Sequence, residues 1–382
     1  MYRTSRLVAA ATLSLILSVT SPHAIGQVPT PRLPPENLLV YRGDNNKPRP
    51  VRTIDDWLRR RAETLAGMQA VMGQLPGDEK RCPLDVQVEE ELNFGSYTQQ
   101  FITYQSEPGS RVPAYLLIPS SVRTEKQSKA PAVLCLHPTD DKLGHRVVIR
   151  PEGRLNRQYA SELAERGYVT LAPSYPLLAN YQPDIKTLGW DSGTLKAVWD
   201  NIRGLDLLES LSFVDQKPGF GAIGHSLGGH NSVYTSVFDD RIKAVVSSCG
   251  LDSYPDYYGG NEKRWFPEQG WAQTRYMLRL ADYRGRLHEI PFDFHEMIGA
   301  LAPRYVFIAA PLHDGNFRAD SVDRIAAAAM DVFRLYGHPE RLRVEHPDCG
   351  HDFPMEMRRI AYQMFDRVLR PDRAEADPAG DP

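Results

Sequence analysis

Fully apolar runs, each short enough to be one strand, alternate with helical segments along most of the chain. That rhythm constrains the fold more than any other feature. "APAVLCLH" (130–137), "YVTLAPSYP" (168–176), "GFGAIGHS" (219–226), "IKAVVSSCG" (242–250), "RYVFIAAP" (304–311) and "LRVEHPD" (342–348) read as buried strands. Among them, "RLNRQYASELAERG", "GTLKAVWDNIRGLDLLESL", a segment opening near Leu227, "SVDRIAAAAMDVFRLYG" and "MEMRRIAYQMFDRVL" carry apolar residues at helical spacing. A strand with no polar face must be covered on both sides, and helices that connect parallel strands supply that cover. The expectation is an α/β domain with a mostly parallel central sheet and helices on both faces.

The region before this core is different. Residues 27–52 are rich in Pro, Asn and Arg and read as an extended arm. A helix follows, with Ile54, Trp57, Leu58, Leu65, Met68 and Met72 at three- and four-residue spacing, Thr53 as N-cap and Pro76 as a stop. "LDVQVEEEL", "YTQQFITYQ" and "VPAYLLIPS" alternate as antiparallel strands do. The expected division is therefore 27–83 as arm and helix and 84–370 as the catalytic domain.

Residues 1–26 place Arg3 and Arg6 before an apolar run from Leu7 to Val19, followed by small residues. This is the order of a secretory signal, and the run is shorter than the roughly 20 residues a stable membrane span requires. A secreted or periplasmic location is expected. The tail, 371–382, is polar and is expected to be disordered. A net charge of −3 with scattered Lys and Arg excludes a strong field for nucleic acid. Four cysteines, Cys82, Cys135, Cys249 and Cys349, are too few for a disulfide scaffold.

Gly224-His225-Ser226-Leu227-Gly228 fits G-x-S-x-G and sits between an expected strand and an expected helix. Small residues there let the chain turn sharply and raise the serine hydroxyl into the open. A serine needs a base, and the base needs a group to orient it. Asp314 and His351 follow later strands in Gly-containing loops, in the order Ser, acid, His that such enzymes use. Asp252 is the alternative acid, whereas His225, His230 and His313 suit supporting roles better than that of base, and His346 still lies within the expected strand. The backbone N–H of Leu227 is one expected oxyanion donor. Pro138 has no N–H to give, so Thr139 is the expected second donor. His295 in "HEMIG" has no second His at metal-ligand spacing, so no metal site is expected.

GHSLGG, LHDGNF and CGHDFP, taken with the strand–helix order, resemble the α/β-hydrolase superfamily. Within it they are most similar to secreted esterases of the dienelactone-hydrolase and acetyl-xylan-esterase type. The resemblance implies an α/β-hydrolase fold and a serine carboxylic-ester hydrolase without cofactor, using Ser226, Asp314 and His351. It departs from dienelactone hydrolases proper, whose pattern has Cys as nucleophile, and from the commoner His-Gly form at His137-Pro138. Export and this likeness together suggest small-molecule or polysaccharide esters as substrate, such as acyl or uronate esters of plant polysaccharides. A secreted serine peptidase and a non-catalytic binding protein are the alternatives. Residues 253–300 are too long for a plain loop and are expected to form a helical, cap-like insert that sets specificity. Trp265, Trp271, Tyr257 and Tyr258 are its candidate substrate contacts, with Arg264, Arg275 and Arg279 as candidate carboxylate partners.

Overall fold

The computed structural model describes residues 32–124 and 129–370. The expected signal segment and the expected disordered tail lie outside the described residues.

In the arm, β1 (Val40–Arg42) and β2 (Pro48–Pro50) pair antiparallel across a turn at Asn46, a short hairpin where only extended chain was expected. Helix α1 (Ile54–Met72) begins at Thr53, whose side chain accepts from the Asp56 N–H while Asp56 reaches back to the Thr53 N–H. It ends at Gly73, ahead of Pro76. Its buried face is Trp57, Arg60, Thr64, Met68, Val71 and Met72, leaving Ile54 and Leu58 exposed. The helix is rotated from the apolar pattern because Arg60 turns inward to Glu296, at 3.1 Å.

Three antiparallel strands come next, β3 (Gln87–Asn93), β4 (Tyr97–Glu107) and β5 (Ser110–Pro119), followed by the short helix α2 (Ser120–Thr124). The alternating part then runs β6 (Ala132–Leu136), α3 (Tyr159–Glu165), β7 (Val169–Pro173), α4 (Gly193–Ser210), β8 (Phe220–His225), α5 (Leu227–Phe238) and β9 (Ile242–Ser248). It closes with α6 (Phe294–Ala300), β10 (Tyr305–Ala309), α7 (Ala319–Leu335), β11 (Leu342–Glu345) and α8 (Met355–Leu369). Across the sheet the order is β11-β10-β9-β8-β6-β7-β5-β4-β3. The strands from β6 onward pair in parallel with one another, and β3, β4 and β5 extend the sheet antiparallel.

Alternate residues of each strand enter different cores. In β6, Ala132, Leu134 and Leu136 face the side packed by α1, α4, α5, α6 and α7. Val133 and Cys135 face α3 and α8. Burial on both faces is the physical reason these strands carry no polar alternation. Among the described residues, no helix is long and apolar enough to cross a membrane, and the four cysteines are unbridged.

The insert of residues 253–300 corrects one expectation. Instead of a helical cap it is mostly irregular chain with 3₁₀ turns at Tyr257–Gly260, Glu262–Trp265, Leu278–Tyr283 and Leu287–Glu289, and one seven-residue helix, α6. Its interior is held by aromatic packing. Trp265 meets Tyr254 edge-on at 5.7 Å, and Tyr254 meets Phe292 at 5.6 Å. Arg32 binds Glu296 of α6 at 2.7 Å and ties the arm to the base of the insert.

Candidate active site

Ser226 stands between β8 and α5 with φ 55° and ψ −121°, backbone angles that few non-glycine residues adopt. The turn is pinned from both sides. Ser226 N–H donates to Ser248 O at 2.8 Å, and His230 N–H donates to Ser226 O at 2.9 Å. It is also too tight for side chains at its flanks. A Cβ at Gly224 would lie 2.1 Å from the Gly228 backbone, and one at Gly228 would lie 1.9 Å from Leu136 O. The glycines therefore let helix and strands meet, which leaves the serine partly exposed at the C-terminal edge of the sheet. Leu227 is the first residue of α5, so its N–H has no partner within the helix.

Asp314 and His351 leave the sheet after β10 and β11, and the structure brings them together: His351 Nδ1 and Asp314 Oδ2 are 2.8 Å apart. The Asp314 side chain is almost fully buried while that of His351 is 29 % exposed. The other carboxylate oxygen of Asp314 accepts from the N–H groups of Asn316 (2.8 Å) and Phe317 (3.4 Å). The His351 loop is fixed from below. Arg157 donates to His351 O at 3.0 Å and pairs with Asp352, while Asn156 donates to Asp352 at 2.7 Å. The His351 ring lies 4.8 Å from the ring of His225, the residue before the serine. No hydrogen bond joins the Ser226 hydroxyl to His351 among the described residues. Such contacts commonly shorten only with substrate present.

Other candidates are committed elsewhere. Asp252 accepts from the Arg318 N–H at 3.1 Å, and burial raises its carboxyl well above the usual range. His313 faces Asp348 on the surface, and His346 is held between Ala310 O and Asp323. His225 Nδ1 pairs with the Ser248 hydroxyl at 3.2 Å. Cys249 neighbours the site without any local signal in the sequence. Its thiol donates to Asp352 O at 3.2 Å, and its sulfur lies within 4.8 Å of ligand-type nitrogens of His225 and His351. This cluster arises because the His351 loop folds against the ends of β8 and β9.

Thr139 follows β6 in an exposed loop whose backbone is set by the buried His137. His137 Nε2 accepts from the Tyr175 N–H at 2.9 Å, which leaves the proton on Nδ1 to donate to Pro138 O at 2.7 Å. Burial lowers this imidazole to about 4, so the neutral tautomer persists. In a trans peptide the N–H points opposite the carbonyl. Fixing Pro138 O therefore fixes the direction of the Thr139 N–H.

Of the aromatic candidates, Trp271 and Tyr257 adjoin the site. Trp271 stacks on His230 at 4.1 Å and meets Tyr257 at 5.4 Å. Phe317, which carries no local signal in the sequence, contacts both of them and lies 6.0 Å from the His351 ring. Trp265 is fully buried inside the insert, so it has no face to offer a substrate. Tyr258 is covered by the Arg264 guanidinium at 3.9 Å. Arg275 and Arg279 are paired with Asp141 and Asp191.

A nine-stranded sheet of this order, with a serine elbow after a central strand and an acid–histidine pair on later loops, is the α/β-hydrolase fold. No protein-family model matches the chain. YtaP of Bacillus subtilis (strain 168), provisionally named a hydrolase, is 27% identical over 172 residues, which is 45% of this chain and 53% of that protein. The chain thus spans about half the length of this curated relative. A glucuronoyl esterase from Solibacter usitatus superposes with a TM-score of 0.68 at 18% identity, covering 90% of this chain and 100% of that one. A protein of Bacteroides fragilis NCTC 9343, provisionally titled an acetyl xylan esterase, gives a TM-score of 0.56 at 16% identity, covering 78% and 76% of the two chains. At these identities the likeness is one of fold.

Proposed function

We propose that this chain is a serine carboxylic-ester hydrolase working through an acyl-enzyme. The observation that carries the reading is the His351–Asp314 contact at 2.8 Å, set beside a serine in a strained strand-to-helix turn. His351 takes the Ser226 proton as the oxygen attacks the ester carbonyl. Asp314 holds the Nδ1–H tautomer and stabilises the imidazolium. The Leu227 and Thr139 N–H groups receive the oxyanion, and the proton on His351 then passes to the departing alkoxide. Water, activated by the same imidazole, releases the acid and restores Ser226. These steps ask for no cofactor.

The substrates we infer are acyl or uronate esters of plant polysaccharides, or related small esters. Structural neighbours named as a glucuronoyl esterase and an acetyl xylan esterase support this class. So does the aromatic wall of Phe317, Tyr257 and Trp271 beside His351, whose residues are only 6–8% exposed and so offer a narrow apolar lining to the group next to the ester rather than open ring faces. The signal-like N-terminus supports a secreted or periplasmic location. The test is a panel of p-nitrophenyl acetate, an acetylated xylan, a glucuronate methyl ester and an aminoacyl p-nitroanilide. Turnover of esters with no anilide cleavage is expected. Preferential anilide cleavage would assign a peptidase, and no turnover of any would leave a binding protein.

A further inference from the structure

The insert reaches back to the oxyanion loop at one point. The Tyr276 hydroxyl and Thr139 Oγ1 are 3.0 Å apart, which joins residue 276 of the insert to the loop after β6. Tyr276 is held as a rigid group would be. Its ring is buried and meets Trp271 at 5.0 Å and Tyr175 at 6.1 Å. Its backbone is docked on the start of α4, where Gly193 N–H donates to Thr274 O and Thr194 N–H donates to Tyr276 O, both at 3.1 Å. These N–H groups are among those a helix start leaves without internal partners, so the insert closes the helix and the helix locates the insert. The approach is so close that a Cβ at Gly193 would lie 2.2 Å from Arg275 O. The Tyr175 hydroxyl, 2.9 Å from the same Arg275 O, adds a further tie. By contrast the Arg275–Asp141 pair, which also bridges insert and loop, is half in water and contributes little.

We propose that Tyr276 is a positioning residue for the chemical step: through Thr139 it holds the oxyanion loop in place, so the insert supports catalysis as well as substrate choice. The proposal rests on the ester-hydrolase reading, since it assigns Thr139 as the second oxyanion donor. Thr139 is exposed, and its N–H direction is set from one side by His137 acting on Pro138 O. The Tyr276 hydroxyl sets it from the other, at the side chain. Burial keeps this phenol protonated, so it remains available as a donor.

The test is a double-mutant cycle of Tyr276→Phe and Thr139→Val on p-nitrophenyl acetate, whose acyl group is too small to reach the aromatic wall. Thr139→Val keeps the backbone N–H and, being at the surface, keeps the fold, so it reports the bond even if Tyr276→Phe is unstable. Each single change is expected to lower kcat by roughly tenfold, a part of what losing an oxyanion donor costs, with KM within about twofold. The double variant should be no worse than either single one. Effects that multiply, or a loss seen only in KM for bulky esters, would overturn the positioning role while leaving the hydrolase reading intact. A wild-type protein inert toward the ester would end both.

Discussion

Asp314 Oδ2 and His351 Nδ1 meet at 2.8 Å across two loops that leave neighbouring strands, while Asp252 is spent on the Arg318 backbone. The two aspartates therefore predict opposite results. Asp314→Asn should lower kcat by roughly 10³–10⁴, because the amide disturbs the imidazole tautomer and removes the charge that supports its protonated form. Burial pushes the Asp252 carboxyl up toward its neutral form, which Asn imitates, so Asp252→Asn should stay within about tenfold. Steady-state kinetics on p-nitrophenyl acetate decide it, and the reverse ranking would move the acid to the loop after β9.

The two tryptophans of the insert separate stability from specificity. Trp265→Ala should cost about 3–5 kcal/mol in denaturant unfolding, since the ring is fully buried among Tyr254 and Tyr257, with little change in kcat/KM of the folded enzyme. Trp271→Ala opens the wall beside Phe317 and should lower kcat/KM several-fold for bulky esters more than for acetate. Equal effects of the two changes on bulky substrates would contradict the placement of Trp265.

The central strands were the most legible part of the sequence, because burial on both faces leaves β6, β7 and β8 almost entirely apolar, whereas β11 at the sheet edge carries Arg343 and Glu345. The expected runs from 130 onward match β6 to β11. Helix α1 was legible in extent but not in rotation, since an inward Arg60 paired with Glu296, far along the chain, cannot be seen in a local pattern. Ser226 announced itself through the glycines its turn demands. Tyr276, Phe317 and Cys249 did not, because their importance comes from contacts between distant segments with no local signature. The insert misled for a related reason. Its aromatic content reads as a binding face, yet Trp265 is there to give an irregular segment a core.

Buried histidines should make the fold sensitive to acid. Burial lowers His230 to about 3, partly offset by the Gly250 backbone, whereas an unfolded chain titrates it near 6.5. Below pH 6.5 the unfolded state thus binds the extra proton, and stability falls as pH drops from about 6.5 toward 3. Asp293 opposes this, because burial raises it to about 7, so from about pH 4 upward the unfolded chain releases this proton before the fold does and stability falls as pH rises toward 7. A comparison with His230→Gln isolates the histidine. Between pH 6.5 and 5 the wild type should lose roughly 1–2 kcal/mol more than the variant in urea unfolding. Parallel pH profiles would show that His230 does not titrate as its burial requires.

The central claim is that Ser226 forms a covalent bond to substrate carbon, and a phosphonate probe tests it most directly. The protein is incubated with a fluorophosphonate, and the adduct is located by intact mass and peptide mapping. One probe per chain is expected, on the peptide bearing Ser226, together with loss of esterase activity. No adduct should form on a folded Ser226→Ala variant, whose turnover should fall by a factor on the order of 10⁶. An active protein that carries no adduct at Ser226, or one whose Ser226→Ala form still hydrolyses esters at the wild-type rate, would contradict the account.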